Sequence, residues 1–292
     1  EKIMKKILPG HGSGGKLMND MISGLIKETL GRDTIQIDDS AILETGGGKI
    51  AFTTDSYTVT PIFFPGGDIG KLAVNGTVND LAVMGAIPKF ISCSLILEEG
   101  FDFESLEKLL VSMKQAADEA GVKIVTVDTK VVPNGKGDKV YINTSGIGIF
   151  TGNVQRRKIE PGDKIIVSGT TGDHGITIMS LRNDLKFSSN LKSDCAPLYG
   201  MISQVTAKYP ESIKFMRDAT RGGIASVLNE ITAGTAFSAK LVDEKIPVTD
   251  EVKGICGILG LDPVYVANEG KVIIIAKAGD AQGITDTLKL HQ

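Results

Sequence analysis

Strand-like and helix-like patterns alternate between residues 49 and 150, and this order restricts the possible folds more than any other feature. Residues 49–56, 89–99, 123–130 and 139–150 are apolar, β-branched or alternating segments of the kind that form strands. Residues 69–86 and 101–121 place apolar side chains at helical spacing, and both patterns stop at a glycine. The order predicts one α/β or α+β domain with a mixed sheet, ending near residue 155.

A second set of patterns begins after the turn Pro161-Gly162-Asp163. A new apolar strand follows this turn, and helical patterns occupy residues 174–183, 195–208, 221–233 and 249–258. We therefore predict an N-terminal domain (1–155) and a C-terminal α+β domain (156–292), which suits a length of 292 residues. The strand and helix pattern of 271–292 closes the sequence without the further strand that we expect. We therefore expect the chain to stop before its natural end.

The composition excludes several classes of protein. A formal net charge of −3 and a pI near 5.7, without a basic stripe, argue against nucleic acid as a partner. No apolar run reaches the roughly 18 residues of a membrane span and no secretory signal opens the chain, so we expect no membrane association and a cytoplasmic location. Cys93, Cys195 and Cys256 are odd in number and far apart, which predicts buried thiols rather than disulfides or a zinc site.

The N-terminal loop from Gly10 to Lys16 nearly matches the phosphate-binding loop of P-loop nucleotidases. Leu17, however, occupies the position where that motif needs a hydroxyl for magnesium, and the preceding residues, with three lysines and Pro9, make a poor buried strand. We therefore predict that the loop is not a P-loop. Its backbone N–H groups could still surround an anion, the alternative being a simple turn before a helix. If the loop serves a nucleotide, the metal must be held elsewhere.

Aspartates recur in semi-apolar surroundings along the chain. An unpaired carboxylate among Val, Leu and Ile costs several kcal/mol to desolvate, so such groups need partners. Acids spread over several elements suit magnesium bound to a nucleotide, whereas the alternative is that each one caps a separate helix or turn. These acids are Asp38, Asp39, Asp55, Asp80, Asp128 and Asp218.

Two other polar groups are weaker candidates. Asp173-His174-Gly175 and Ser168 contain residue types used in catalysis, but no GxSxG motif surrounds them, so a glycine-rich turn is the favoured interpretation. Glu269 and Lys271 follow an apolar pair and could lie at a strand end, with a surface turn as the alternative.

The motifs together resemble one known family. They are HGSGGK (11–16), DDSAIL (38–43), FTTDSY (52–57), FFPGGDIGKLAVNGTVNDLAVMGA (63–86), DTKVV (128–132), SGTTGDHG (168–175), RDATRGG (217–223) and VYVANEGK (264–271). From residue 10 to the end the chain resembles the HypE family of [NiFe]-hydrogenase maturation proteins, in the PurM-like ATP-binding superfamily. The long helix motif and RDATRGG are the most specific, because the acidic signatures also occur in other members of the superfamily.

This resemblance implies a two-domain PurM-like fold whose N-terminal sheets pair across a homodimer. ATP would lie between the sheet and the glycine-rich loop, and Mg²⁺ would be held by Asp39, Asp55, Asp80, Asp128 and Asp218. The implied nucleotide-binding residues are His11, Gly12, Gly14, Gly15, Lys16, Asp39, Asp55, Asn79, Asp80, Asp128, Thr129 and Arg221.

The implied activity is ATP-dependent dehydration of a carbamoyl group on the sulfur of the protein's own C-terminal cysteine. The thiocyanate product would supply cyanide to the hydrogenase iron. By the resemblance, Lys130 opposes phosphoryl charge and Glu269 helps to remove protons. The implied partners are the carbamoyltransferase HypF and a HypC–HypD complex that carries iron.

The sequence departs from the family pattern at three places. It ends at Gln292 without a terminal cysteine, while Asn75 and Val127 replace a common Cys and Gly. We therefore expect the chain as given to bind ATP without completing the self-modification. Two alternatives remain open, namely a kinase or synthetase of the same superfamily that acts on a free small molecule, and a maturation scaffold that uses the nucleotide as a clamp.

Overall fold

The computed structural model describes residues 6–13, 15–36, 38–152, 157–183, 190–233 and 235–291. Their strands are β1 (Ala41–Thr45), β2 (Gly48–Tyr57), β3 (Phe63–Phe64), β4 (Gly67–Asp68), β5 (Ala86–Glu98), β6 (Lys123–Val132), β7 (Val140–Phe150), β8 (Lys164–Val167), β9 (Ile213–Asp218) and β10 (Val272–Ala276). Their α-helices are α1 (Gly15–Asp20), α2 (Lys27–Leu30), α3 (Ile69–Val83), α4 (Phe103–Ala120), α5 (Asp173–Arg182), α6 (Tyr199–Lys208), α7 (Gly223–Thr232), α8 (Asp250–Leu259) and α9 (Ala281–Lys289). A π-helical turn, Met21–Ile26, joins α1 to α2.

The first half is built on a five-stranded mixed sheet in the order β1-β2-β7-β5-β6. Only the β5–β6 pair is parallel, and α4 provides the crossover between these two strands. Helices α3 and α4 cover one face of the sheet, which we call the closed face, with a core that includes Ile91, Ile142 and Leu109. On the other face, the open face, large apolar side chains remain exposed: Leu43, Phe52, Phe90, Ile96, Ile147 and Ile149.

Helix α3 lies at the centre of the molecule because it is apolar on nearly all sides. The Asp68 side chain begins the helix by accepting hydrogen bonds from the N–H groups of Gly70 and Lys71. Gly70 allows α4 to approach closely, since a Cβ there would lie 2.8 Å from the Leu109 carbonyl oxygen. At the other end of the helix, Ala82 and Val83 pack into the core of the second half.

The second half contains a three-stranded antiparallel sheet in the order β8-β10-β9. Helices α6 and α9 pack on one face and α7 packs on the other, so all five residues of β10 are buried. Such a continuously apolar strand is typical of a central strand covered on both sides. Among the described residues, no helix is long and apolar enough to cross a membrane.

The sequence-based fold prediction is confirmed in its class and in most elements. The predicted helix 101–121 corresponds to α4, which ends at Gly121 in a left-handed conformation (φ +70°). The helical pattern predicted for 195–208 was placed too early, because residues 195–198 have no regular secondary structure and α6 begins at Tyr199. The prediction missed β1 and β9. The three cysteine thiols are free and buried, as expected.

Candidate functional site

Three of the predicted acids meet in space. Asp39 precedes β1, Asp80 lies near the end of α3, and Asp218 ends β9. Each side chain places an oxygen within 4.8 Å of the oxygens of the other two. Among the described residues, this is the one set of three or more His, Cys, Asp or Glu side chains close enough together to hold a metal ion. The second half of the chain therefore completes a site that the first half begins.

Hydrogen bonds from neighbouring side chains hold Asp39 and Asp80 of the cluster in place. Thr53 Oγ1 lies 2.9 Å from Asp80 Oδ2 and 2.8 Å from the Asp39 carbonyl oxygen, while Ser40 Oγ donates to the Asp80 carbonyl oxygen at 3.1 Å. Arg217 Nε lies 3.0 Å from Asp39 Oδ1. Because both hydroxyls and the guanidinium are anchored on strands or next to them, the acids are held close together before any ligand binds.

The cluster carries more negative charge than its surroundings compensate. Burial raises the pKa of Asp80 well above its ordinary value, and the charges of Asp218, Asp39 and Asp55 raise it further. Burial also raises the pKa of Asp218 to about 6, although Arg217 opposes this shift. A bound cation would relieve both effects, so the electrostatics fit a metal site.

Asp55 lies beside the cluster on the closed face. Its Oδ1 atom is 3.1 Å from Arg221 Nη2, and its charge contributes to the raised pKa of both Asp80 and Asp218. Arg221 Nη1 lies 3.8 Å from the sulfur of Met18 in α1. The N-terminal segment therefore reaches the same place as the Asp55–Arg221 pair.

The N-terminal segment forms a short 3-10 turn, Pro9–His11, followed by Gly12 and α1. Leu8 N–H donates to His11 Nδ1 at 3.0 Å, and Lys16 Nζ pairs with Asp20 at 2.6 Å. Residues 6–8 form no strand, which agrees with the exclusion of a P-loop. Gly15 begins α1 with φ +72°, and Gly14 lies outside the described residues.

Within one chain, Asp128, Thr129 and Lys130 lie away from the acid cluster. Asp128 stands opposite Ser94 on the open face at the edge strand β6, with 66% of its side chain exposed, whereas the acid cluster lies on the closed side. Lys130 Nζ pairs with Asp128 Oδ2 at 2.9 Å, which lowers the pKa of that carboxyl group. Thr129 is also exposed. The structure does not bring Asp128 or Lys130 to the other acids within one chain.

Asn79 is engaged by backbone groups rather than facing open space. Its amide nitrogen donates to the carbonyl oxygens of Ala196 and Glu269 at 3.1 and 3.3 Å, and its amide oxygen accepts from Leu198 N–H at 2.8 Å. These bonds tie α3 to two segments of the second half. Asn79 therefore positions its neighbour Asp80 and the segment that carries Glu269.

Glu269 is a buried carboxyl group, which excludes the alternative of a surface turn. Its side chain is 15% exposed, and burial raises its pKa well above the ordinary value, as do the charges of Asp218 and Asp194. His174 faces it, with Nε2 4.0 Å from Glu269 Oε1. The glycine-rich turn proposed for 173–175 is wrong too, because these residues form the buried first turn of α5.

Sequence reasoning missed several residues that shape the site. Arg217 and Thr53 hold the acids. Asn75, already noted as a departure from the family pattern, places its Nδ2 3.6 Å from the sulfur of the buried Cys195, whose pKa is raised to about 12 by burial. Recognising 213–218 as a strand would have drawn attention to Arg217. Val127 is exposed on the edge strand, away from the cluster.

Comparisons with known proteins place the chain in a family. Residues 37–150 match the AIR synthase related protein N-terminal domain, and residues 160–292 match the C-terminal domain of the same family. The carbamoyl dehydratase HypE of Azotobacter vinelandii is 44% identical over 284 residues, which cover 96% of this chain and 83% of that relative.

Solved structures give the same relationship. A crystal structure of a HypE–HypF complex matches with a TM-score of 0.84 and 45% identity, covering 92% of this chain and 89% of that chain. A HypE structure in complex with ATP matches with a TM-score of 0.80 and 44% identity, covering 97% of this chain and 85% of that chain. The resemblance seen in the motifs is therefore confirmed, and the chain belongs to the AIR synthase related family as a HypE-type hydrogenase maturation protein.

Proposed function

We propose that this chain is an ATP-dependent carbamoyl dehydratase. Its substrate is a carbamoyl group on the sulfur of a cysteine in the protein's own C-terminal tail, and its product is a thiocyanate that supplies cyanide to the iron of [NiFe]-hydrogenase. The observation that carries this proposal is the buried cluster of Asp39, Asp80 and Asp218 beside the N-terminal segment. The names of the relatives and the ATP complex of a HypE structure support it.

The acid cluster fits magnesium. Asp39, Asp80 and Asp218 would hold it, with Asp55 beside them, because three hard oxygen ligands within 4.8 Å and a raised pKa at Asp80 favour a divalent cation. When bound with ATP, Mg²⁺ neutralises negative charge on the phosphates.

The N-terminal segment would close over the phosphates. It contributes the backbone N–H groups of its glycines and the charge of Lys16, while Arg221 approaches from the Asp55 side. Thr129 and His11 complete the proposed nucleotide-binding set by family resemblance.

The reaction has two balanced steps. The carbamoyl oxygen attacks the γ-phosphorus of ATP, so that an O–P bond forms, the bond to ADP breaks, and one nitrogen proton leaves. The C–O bond then breaks with loss of phosphate and the second nitrogen proton, which leaves a carbon–nitrogen triple bond. Phosphorylation turns a poor leaving group into a good one, and the chain must accept the protons and hold the substrate.

Glu269 is the proposed base for the nitrogen protons. A carboxyl group whose pKa is raised by burial is a stronger base than an exposed one, which suits proton removal near neutral pH. Lys130 would oppose phosphoryl charge. Because Lys130 and Asp128 lie on the open face, we assign their roles to the assembled dimer.

A homodimer would bury the open face of the first sheet. Its exposed Phe52, Phe90 and Ile147 occupy neighbouring strands in register, and a contiguous apolar patch of this kind marks an interaction surface. We further propose HypF as the carbamoyl donor, supported by the HypE–HypF complex of a relative, a HypC–HypD complex as the cyanide acceptor, and action in the cytoplasm.

The decisive experiment measures intact mass. A chain extended by the expected cysteine-terminated tail is carbamoylated by HypF and then given ATP and Mg²⁺. We expect the mass to fall by one water and one phosphate to be released per chain, and Glu269→Gln to prevent both. ATP turnover driven by a free small molecule, with the mass of the tail unchanged, would instead support the kinase or synthetase alternative.

A further inference from the structure

His174 is a buried histidine that the proposed reaction does not yet use. It lies in the first turn of α5, and its ring meets Phe64 of β3 edge-on, with centroids 5.6 Å apart and planes at 85°. Burial lowers the pKa of the imidazole to about 4, so the ring is neutral at physiological pH. A neutral imidazole has one donor and one acceptor nitrogen, and its surroundings decide which is which.

Ser193 fixes the tautomer of this ring. Ser193 Oγ lies 2.9 Å from His174 Nδ1 and accepts a hydrogen bond from Cys195 N–H at 3.2 Å. We assign the Ser193 hydroxyl as the donor and Nδ1 as the acceptor, since the Ser193 oxygen already accepts from Cys195 N–H. This assignment leaves the proton of the imidazole on Nε2.

Ser193 is itself held firmly. Its N–H donates to the Pro65 carbonyl oxygen at 2.8 Å, in the turn between β3 and β4. Gly66 follows in a left-handed conformation (φ +94°), and a Cβ there would lie 2.4 Å from the Ser193 carbonyl oxygen. The β3–β4 hairpin therefore supports the Ser193 hydroxyl, and its Phe64 packs against the edge of the ring.

The Nε2 atom faces Glu269, 4.0 Å from its Oε1, and both side chains are largely buried. We propose that His174 is a positioning residue that directs its Nε2–H at the Glu269 carboxylate and orients that group for proton removal. This inference rests on the proposed function, in which Glu269 is the base. Hydrogen bonds of this kind are commonly long before the substrate binds and shorten in the complex.

Other charges face the same pair. The charges of Asp218, Asp194 and Asp55 favour the protonated form of Glu269, and Arg221 opposes them. Asp194 also faces His174, as does Arg182. Asp194 accepts from Glu269 N–H at 3.1 Å and pairs with Lys271 at 3.1 Å, so the backbone of Glu269 is held independently of His174.

The inference predicts a change in pH dependence. A neutral N–H donor favours the ionised carboxylate, so its loss would raise the pKa of Glu269 further. Because the base must be ionised, the acid limb of the rate profile would then move to higher pH. A residue that only supports the fold would lower the rate equally at every pH.

Two substitutions distinguish the roles of the two ring nitrogens of His174. His174→Asn keeps an amide near Ser193 but nothing that reaches Glu269, whereas His174→Gln carries an amide to the position of Nε2. In single-turnover water loss, measured by intact mass on the carbamoylated chain with ATP, we expect His174→Asn to be roughly 10-fold slower at pH 7, part of the 10²–10⁴ that a general base supplies. Its acid limb should shift to higher pH, and His174→Gln should recover both rate and profile.

Phe64→Leu is the matched control, because it removes the ring contact and keeps the imidazole. It should leave the acid limb in place. Ser193→Ala keeps the imidazole ring but removes the hydroxyl that sets its tautomer. It should therefore also shift the acid limb of the rate profile to higher pH. This variant tests the inference even where His174→Asn does not fold.

An acid limb that is the same in wild type, His174→Asn and Ser193→Ala would overturn the inference while leaving the proposed function intact. The proposed role of Glu269 fails separately, if Glu269→Gln still loses water at the wild-type rate.

Discussion

The closed and open faces of the first sheet carry acids of the same type in very different states. Asp39, Asp80 and Asp218 gather where burial and mutual repulsion raise the pKa of Asp80 and Asp218. Asp128, on the open face, is exposed and paired with Lys130, and its pKa is lowered. At the closed-face site Arg217 pairs with only one of three carboxyl groups, whereas on the open face Lys130 pairs with the single carboxyl group of Asp128. Only the closed-face site therefore needs a further cation within one chain.

The largest effect should come from breaking the closed-face cluster. Asp80→Asn removes a central oxygen ligand while keeping its shape, and we expect ATP-dependent water loss to fall roughly 1000-fold. The measurement is intact mass after a single turnover. Asp118→Asn, an exposed acid of α4 paired with Lys114, is the control and should be active. An active Asp80→Asn protein would remove the cluster from the mechanism.

A charge placed in the apolar patch of the open face should disrupt the proposed dimer interface. Phe90→Asp should weaken dimerisation roughly 100-fold, because an unpaired carboxylate would be buried in an apolar interface. Sedimentation across a concentration series measures the effect. Phe103→Asp alters another exposed phenylalanine at the start of α4, outside the patch, and should leave the dimer unchanged. Equal weakening by both variants would contradict the proposed interface.

The charge imbalance of the closed face also predicts a gain in stability. The pKa of Asp218 is raised to about 6, so the folded protein holds a proton that the unfolded chain releases, and stability falls as pH rises from about 4 to 6. Without metal at pH 7.5, Asp218→Asn should therefore stabilise the protein by about 3 kcal/mol. Denaturant unfolding in EDTA at pH 7.5 and pH 4 measures this difference, which should nearly vanish at pH 4. Destabilisation at pH 7.5 would show that the carboxylate is already compensated.

The smallest effect on stability should come from Asp128→Asn. Its ion pair with Lys130 is exposed and screened by solvent, so the free energy of unfolding should not change measurably. Turnover by the dimer should nevertheless fall, as the proposed metal set includes Asp128. Unchanged turnover would remove Asp128 from that set, and strong destabilisation would contradict its exposed position.

The sequence was informative wherever local chemistry decides the structure. Strand and helix periods gave β2, β5, β7 and α4 to within three residues at each end, since alternation and the glycine at 121 are local signals. The acid cluster was predicted because isolated aspartates among apolar residues need partners. Asp39, Asp80 and Asp218 do meet.

Other features depend on contacts between distant segments and left no local signal. Strand β9 was missed because a single apolar stretch between helices does not show which sheet it joins. His174 and Glu269 become neighbours only when α5 and the segment before β10 pack together. The local pattern therefore favoured a turn at His174, and Glu269 received a role only through the family resemblance. The face that Asp128 occupies follows from the pairing register between β5 and β6. This register shifts between Ile91 and Ser92 of β5.

Helix α3 contributes to two cores, with Val74 and Val78 in the first and Ala82 and Val83 in the second. A hinge motion that separated the two halves would have to pull those side chains out of one core. The acids therefore cannot be uncovered by such a motion at low cost. Under the proposed function, a nucleotide would instead enter past the N-terminal helical segment, in which none of the described residues is buried.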